Sequence, residues 1–161
     1  MTPVRTDVLV HVASARDTAA IAELRALWTG GGAPGPVFAR DVAEWLEEEG
    51  DRRTVWLAEH GGAAVGLASL FEYRRMPKPG RRASRWGYIS NMFVREELRN
   101  QGIGSALLDA VIAAADARGY ARLVLSPAER AVAFYARAGF VPPGVAGSDR
   151  LLVRPGRTAA P

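Results

Sequence analysis

One stretch constrains the fold of this chain more than any other. The run Tyr88-Ile89-Ser90-Asn91-Met92-Phe93-Val94 reads as an apolar strand, and a short charged turn leads from it to Gly102 and Gly104. Beyond these glycines Ile103, Leu107, Val111 and Ala114 recur at helical spacing. Leu108 and Ile112 widen that stripe, and Gly119 is a natural stop. A strand that feeds a helix through glycines leaves the helix's first backbone N–H groups without intrahelical acceptors and without side chains over them. The helix dipole adds partial positive charge at the same place, so the turn is a socket for phosphate. The plain alternative is a glycine-started helix packed on its strand. Two rival phosphate motifs fit badly. A dinucleotide turn needs a third glycine where Leu107 stands, and no P-loop string occurs.

The rest of the chain supplies elements to surround this unit. Val8–Val12 reads as a strand, and Ser14 caps a helix in which Ala20, Ile21, Leu24, Leu27 and Trp28 share a face. The segment Gly30–Pro36 breaks the chain before a second amphipathic helix over about Val37–Glu49. Strands over Thr54–His60 and Ala64–Phe71 flank Gly61-Gly62, a hairpin signal. A basic loop, Arg74–Ser84, precedes the strand over Trp86–Val94 and the helix over about Gly102–Arg118. A strand over Ala121–Leu125, a helix over Glu129–Ala138 and a short strand over Leu151–Val153 follow. The order β-α-α-β-β-β-α-β-α-β predicts an α/β fold, a mixed sheet with helices on its faces. We expect one domain over residues 1–154 and a frayed tail over 155–161.

Composition removes several chemistries. The 161 residues include no cysteine, which excludes disulfides, thiolate metal sites and a cysteine nucleophile. With His11 and His60 the only histidines, no metal site is expected. All but one of the 21 basic residues are arginines, and they are densest at Arg74, Arg75, Lys78, Arg81, Arg82 and Arg85. That stretch reads as a solvated loop or as a surface for an acidic partner or nucleic acid. No run approaches the ~18 apolar residues of a membrane span, so a cytoplasmic protein without membrane contact is expected. No aromatic-basic repeat marks nucleic-acid binding.

A second constellation lies near the C-terminus, where Phe134-Tyr135 precedes Gly139-Phe140. Tyr135 carries a polar tip that needs a partner if buried. Taken together, the block Tyr88–Phe140 resembles the GNAT superfamily of acetyl-CoA-dependent N-acetyltransferases. The family signature [RQ]-x-x-G-x-[GA] is matched by Arg99, Gly102 and Gly104, and its tyrosine–glycine–phenylalanine block by Tyr135, Gly139 and Phe140. The resemblance implies a mostly antiparallel, twisted central sheet with a splayed motif strand and helices on both faces. It also implies acetyl-CoA as co-substrate and no metal. Met92, Phe93 and Val94 would bond pantetheine and the acetyl carbonyl through their backbones. Gln101, Gly102, Ile103, Gly104 and Ser105 would hold the pyrophosphate, with Arg99 and Asn100 at the rim. Tyr135 would sit beside the sulfur as general acid. Ala128, Leu123 and Tyr88 occupy positions where branches of the family carry asparagine or glutamate, so no family base is inherited.

An alkylamine with a pKa near ~10.4 is protonated at neutral pH and must lose a proton before it attacks. Glu72, at a strand end beside the motif strand, is the candidate acceptor, with Ser90 or Tyr88 holding a water; it reads equally as an exposed carboxylate. Trp28, Glu72, Tyr88, Ser90 and Asn91 are the candidate acceptor-binding residues. Without cysteine, direct attack in a ternary complex is expected. The expected acceptor is a small-molecule primary amine and the expected assembly a monomer or homodimer. A protein, peptide or aminoacyl-tRNA amine, or a non-catalytic acyl-CoA sensor, are the alternatives.

Overall fold

The computed structural model describes residues 7–144 and 151–157. In chain order the elements are β1 (Val8–Val12), α1 (Thr18–Trp28), α2 (Pro36–Glu49), β2 (Arg53–His60), β3 (Ala63–Arg74) and β4 (Arg85–Val94). There follow α3 (Ile103–Ala117), β5 (Arg122–Leu125), α4 (Val132–Arg137) and β6 (Leu152–Pro155). The strands form a single open sheet in the order β1-β2-β3-β4-β5-β6. β1 pairs with β2 antiparallel, β4 with β5 parallel, and β5 with β6 antiparallel, so the sheet is mixed.

Local sequence explains most boundaries. Ser14 and Asp17 form a reciprocal capping box, in which the Ser14 N–H donates to Asp17 Oδ2 at 2.8 Å. The box caps a short 3-10 turn, Ala15–Asp17, and α1 begins only after it. Pro36 opens α2 at a position where its missing N–H costs nothing. Gly61 and Gly62 both take left-handed φ, 60° and 79°, which the tight β2–β3 hairpin requires. On α3 the buried stripe is Ile103, Leu107, Leu108, Val111 and Ala115, so Ala115 takes the place expected for Ala114. The expected helix over Glu129–Ala138 is a 3-10 turn over Glu129–Ala131 followed by α4, and neither has a side-chain cap. Strand β6 runs to Pro155, and the Gly156 N–H bonds Ala121 O at 3.0 Å, so the expected tail begins inside the sheet. Proline is tolerated there because β6 is an edge strand. Among the described residues, no helix is long and apolar enough to cross a membrane.

The chain divides into two compact units, and β3, β4 and α3 run from one into the other. The first comprises residues 7–70 and 91–111. Its core joins Ile21, Ala22 and Leu24 of α1 and Val42 of α2 to Val55, Leu57, Leu67 and Phe93 of the strands. Gly66 is obligatory in this unit. A Cβ there would stand 2.9 Å from Phe93 O and 3.1 Å from Leu107 Cδ1. We expect Gly66→Ala to cost about 1–3 kcal/mol through overpacking, read as a lowered denaturation midpoint. An unchanged midpoint would show that β4 shifts freely.

The second unit comprises residues 71–90, 112–144 and 151–157. Leu123, Leu125, Phe140, Leu152 and Tyr120 are buried in it. The register joins Gly87–Ile89 of β4 to Leu123–Leu125 of β5, and β5 stops there while β4 continues to Val94. The pairing thus ends before β4 does.

Candidate active site

The turn after β4 has the backbone that the glycine pattern predicts. Asn100 takes a left-handed φ of 61° and Gly102 one of 84°. Asparagine is among the few side chains that tolerate this region. The first helical bond of α3 runs from the Ala106 N–H to Gly102 O at 3.0 Å. The N–H groups of Ile103, Gly104 and Ser105 therefore lie ahead of any intrahelical acceptor, as at every helix start. Ile103 turns its side chain into the core and Gly104 has none. Neighbouring side chains pin the turn from outside: Arg99 Nε donates to Val94 O at 3.0 Å and Gln101 Nε2 to Glu97 O at 3.4 Å. The Arg99 guanidinium also lies 5.7 Å from the Phe93 ring.

The same unit contains a cavity of about 330 Å³. Its walls are Ile21, Arg25 and Trp28 of α1, Phe38, Asp41, Val42 and Trp45 of α2, and Val55, Leu67, Ser69 and Asn91 of the strands. Trp28 stacks on Phe93 with ring centroids 5.5 Å apart and an interplanar angle of 13°. Two residues expected to bind the acceptor, Trp28 and Asn91, thus share a cavity, and one of them touches the motif strand. Sequence reasoning missed Arg25, Phe38, Asp41, Trp45 and Ser69. The signal existed, since residues 38, 41, 42 and 45 fall at helical spacing on one face of α2.

In the second unit Tyr135 is 6% exposed. Its ring lies edge-on to Phe134 at 5.0 Å and to Phe140 at 5.6 Å. Left-handed Gly139, at φ 92°, ends α4, and the Phe140 N–H bonds Tyr135 O at 3.2 Å, which brings that second ring back over the tyrosine. Among the described residues the Tyr135 hydroxyl has no hydrogen-bond partner. Burial pushes its pKa up to about 12.

Glu72 is not the exposed strand-end carboxylate that one reading of the sequence gives. It is 6% exposed and accepts three hydrogen bonds: from the Tyr120 hydroxyl at 2.7 Å, Arg74 Nε at 2.6 Å and Arg85 Nη1 at 3.3 Å. Burial opposes its ionisation, but the Tyr120 and Arg74 hydrogen bonds and the charges of Arg85 and Arg74 outweigh it, and its pKa is lowered. The carboxylate is tied to the first residue of β4, whereas the expected acetyl contacts belong to the last three. Tyr88 is half-buried and Ser90 exposed on the same strand.

The basic loop is an ordered finger. The Arg75 N–H bonds Ser84 O at 3.0 Å, Lys78 and Arg81 bridge across its tip, and Tyr73 packs on Trp86 at 4.8 Å. Arg75, Lys78, Arg81 and Arg82 line a second cavity of about 430 Å³ with Tyr73 and Met76. Elsewhere His11, Asp17 and Glu59 bring ligand atoms within 4.8 Å of one another, at the capping box that already engages Asp17.

Comparison with known proteins agrees with this geometry. Residues 19–140 match the sequence profile of the acetyltransferase (GNAT) family. The fold is similar to that of a Trypanosoma brucei acetyltransferase, with 23% identity over 84% of this chain and 93% of that one and a TM-score of 0.70. It is similar to a predicted acetyltransferase with acetyl-CoA from Clostridium acetobutylicum, with 20% identity over 83% and 90% and a TM-score of 0.65. Glucosamine-6-phosphate N-acetyltransferase from Arabidopsis thaliana shares 16% identity over 86% and 94%, with a TM-score of 0.70.

Proposed function

Because this chain belongs to the acetyltransferase (GNAT) family, we propose that it transfers the acetyl group of acetyl-CoA to a primary amine of a small molecule, by direct attack in a ternary complex. One observation carries the reading: a nearly buried tyrosine, clamped by two aromatic rings, holds a hydroxyl with no hydrogen-bond partner among the described residues. A phenol held in place by packed rings, with its donor uncommitted, is free to serve a bound group.

In the proposed reaction the N–H groups at Gln101–Ser105 hold the pyrophosphate, with Arg99 and Asn100 at the rim. The backbone of Met92, Phe93 and Val94 holds pantetheine and the acetyl carbonyl. The amine sits in the cavity with Trp28 and Asn91, where Tyr88 and Ser90 are further candidate contacts. Its nitrogen lone pair attacks the thioester carbon and the C–S bond breaks. The substrate ammonium loses two protons in all; one goes to solvent and one ends on the departing sulfur. Tyr135 serves that sulfur. A phenol near 12 is about 3.5 pKa units weaker as an acid than an ordinary thiol, a difference of roughly 5 kcal/mol. Full proton transfer from Tyr135 to an ordinary thiolate is thus uphill, and its first contribution is a charge-assisted hydrogen bond to the developing thiolate. Glu72 enters as the anchor of Tyr120, Arg74 and Arg85 rather than as the base, a role supported by its lowered pKa and its three donors.

A second reading, an amine carried on an acidic macromolecule such as aminoacyl-tRNA, is favoured by the cavity lined with Arg75, Lys78, Arg81 and Arg82. Thiol release from acetyl-CoA across small amines, peptides and aminoacyl-tRNA, with calorimetry beside it, tests both. Release with a small amine is expected. Release with aminoacyl-tRNA alone selects the second reading. Binding of acetyl-CoA without release points to a sensor, and no binding overturns the assignment.

A further inference from the structure

The charges in the Trp28 cavity name a narrower acceptor. Resting on the function proposed above, we infer that the acceptor is a free amino acid with an apolar or aromatic side chain, its carboxylate held by Arg25 and its ammonium drawn in by Asp41.

Among the described residues, two charged ones line this cavity, one of each sign, and they come from different helices. Neither is neutralised. The Arg25 guanidinium rests 4.8 Å over the Trp28 ring and makes no ion pair among the described residues, and Asp41 has no hydrogen bond or ion pair there. The adjacent arginine behaves differently. Arg53 lies 5.1 Å over Trp45 but is tied to Glu49 at 3.0 Å and to Ser69 at 3.1 Å, so its charge is already paired. The cavity thus keeps one open guanidinium fork and one open carboxylate beside the rings of Trp28, Phe38 and Trp45.

A monoamine satisfies Asp41 but is repelled by Arg25, and a simple acid meets the reverse. A molecule bearing both charges on an apolar body satisfies all three surfaces. The planar fork of arginine suits a carboxylate, for which it provides two parallel hydrogen bonds. A peptide or protein N-terminus carries a neutral amide at that position and forfeits the bond. The volume of about 330 Å³ lies at the lower end of ligand cavities, roughly 300–1,000 Å³, as befits a single amino acid.

The test compares L-phenylalanine, L-phenylalaninamide, phenethylamine and 3-phenylpropanoate. Thiol release gives kcat/KM for the three amines, and calorimetry on the enzyme–CoA complex gives Kd for all four. Phenylalanine is expected to exceed its amide by roughly tenfold to a hundredfold, the worth of a hydrogen bond to a charged group. Arg25→Gln should collapse that ratio, and Asp41→Asn should weaken phenylalanine more than 3-phenylpropanoate. Both side chains are exposed, so the variants are expected to fold. The inference is overturned if wild-type enzyme uses the amide or phenethylamine as well as phenylalanine, if Arg25→Gln lowers amide and acid equally, or if phenylalanine fails to bind. Thiol release with other amines in those cases leaves the acetyltransferase reading standing. Silence with every amine removes both.

Discussion

Tyr135→Phe is expected to reduce turnover by about 10²–10³-fold, the worth of one donor to developing negative charge, while leaving the fold and acetyl-CoA binding intact. The stability half of this expectation follows from the hydrogen-bond inventory. The hydroxyl has no partner among the described residues, so its removal breaks nothing, and the retained ring still meets Phe134 and Phe140. Tyr135→Ala would instead leave a cavity between those rings at a cost of about 3–5 kcal/mol, which would confound a loss of rate with a loss of fold. The pH profile adds a second check. With its pKa pushed up to about 12, Tyr135 keeps its proton across the working range and contributes no descending limb below pH 10. The rate should climb with pH as the acceptor ammonium ionises, and the phenylalanine variant should climb in parallel from a lower base. Turnover within threefold of wild type, or an acetyl-CoA Kd that rises in step with the loss of rate, would take the thiolate role away from Tyr135.

The parts of this molecule that could be read from the sequence are those set by neighbours along the chain. The strand, glycine turn and helix over Tyr88–Ala117 follow from local periodicity and from backbone angles only glycine or asparagine accept readily, and Asn100 and Gly102 adopt those angles. The β2–β3 hairpin follows in the same way from Gly61-Gly62. What the sequence hid depends on partners far along the chain. Glu72 reads as a strand-end carboxylate because Arg85 and Tyr120, the groups that make it an internal anchor, lie 13 and 48 residues away. Pro155 reads as the start of a tail because proline breaks ladders, and only the edge position of β6 makes it acceptable. Arg25 and Asp41 sit on helix faces that helical spacing identifies, yet nothing local says that both faces line one cavity.

Removing the Glu72 carboxylate should lower stability, and the loss should carry a particular pH signature. Tyr120 is 1% exposed, and among the described residues its hydroxyl keeps only the long 3.4 Å contact from Arg118 Nη1 in Glu72→Ala. An orphaned buried donor costs about 1–3 kcal/mol. Arg74 and Arg85 add little, because their side chains are 50% and 43% exposed and water re-solvates them. Glu72→Gln keeps an acceptor for Tyr120 and should cost less. The folded-state pKa of Glu72 is lowered, so the carboxylate's contribution is present above the unfolded value and is lost as pH falls through the folded one. Tyr120 has the opposite sense. Its pKa is raised, chiefly by burial, with Glu72 adding and Arg118 opposing, so its contribution is present below 10 and is lost as pH rises through the folded value. The difference in urea midpoint between wild type and Glu72→Gln should therefore be full at pH 7 and shrink toward pH 3. A difference independent of pH would mean that the ionised carboxylate contributes nothing. The same variant separates anchor from catalyst: an anchor shifts the midpoint and leaves the shape of the pH–rate profile alone. Loss of the ascending limb at unchanged stability would instead make Glu72 the group that takes the amine's proton.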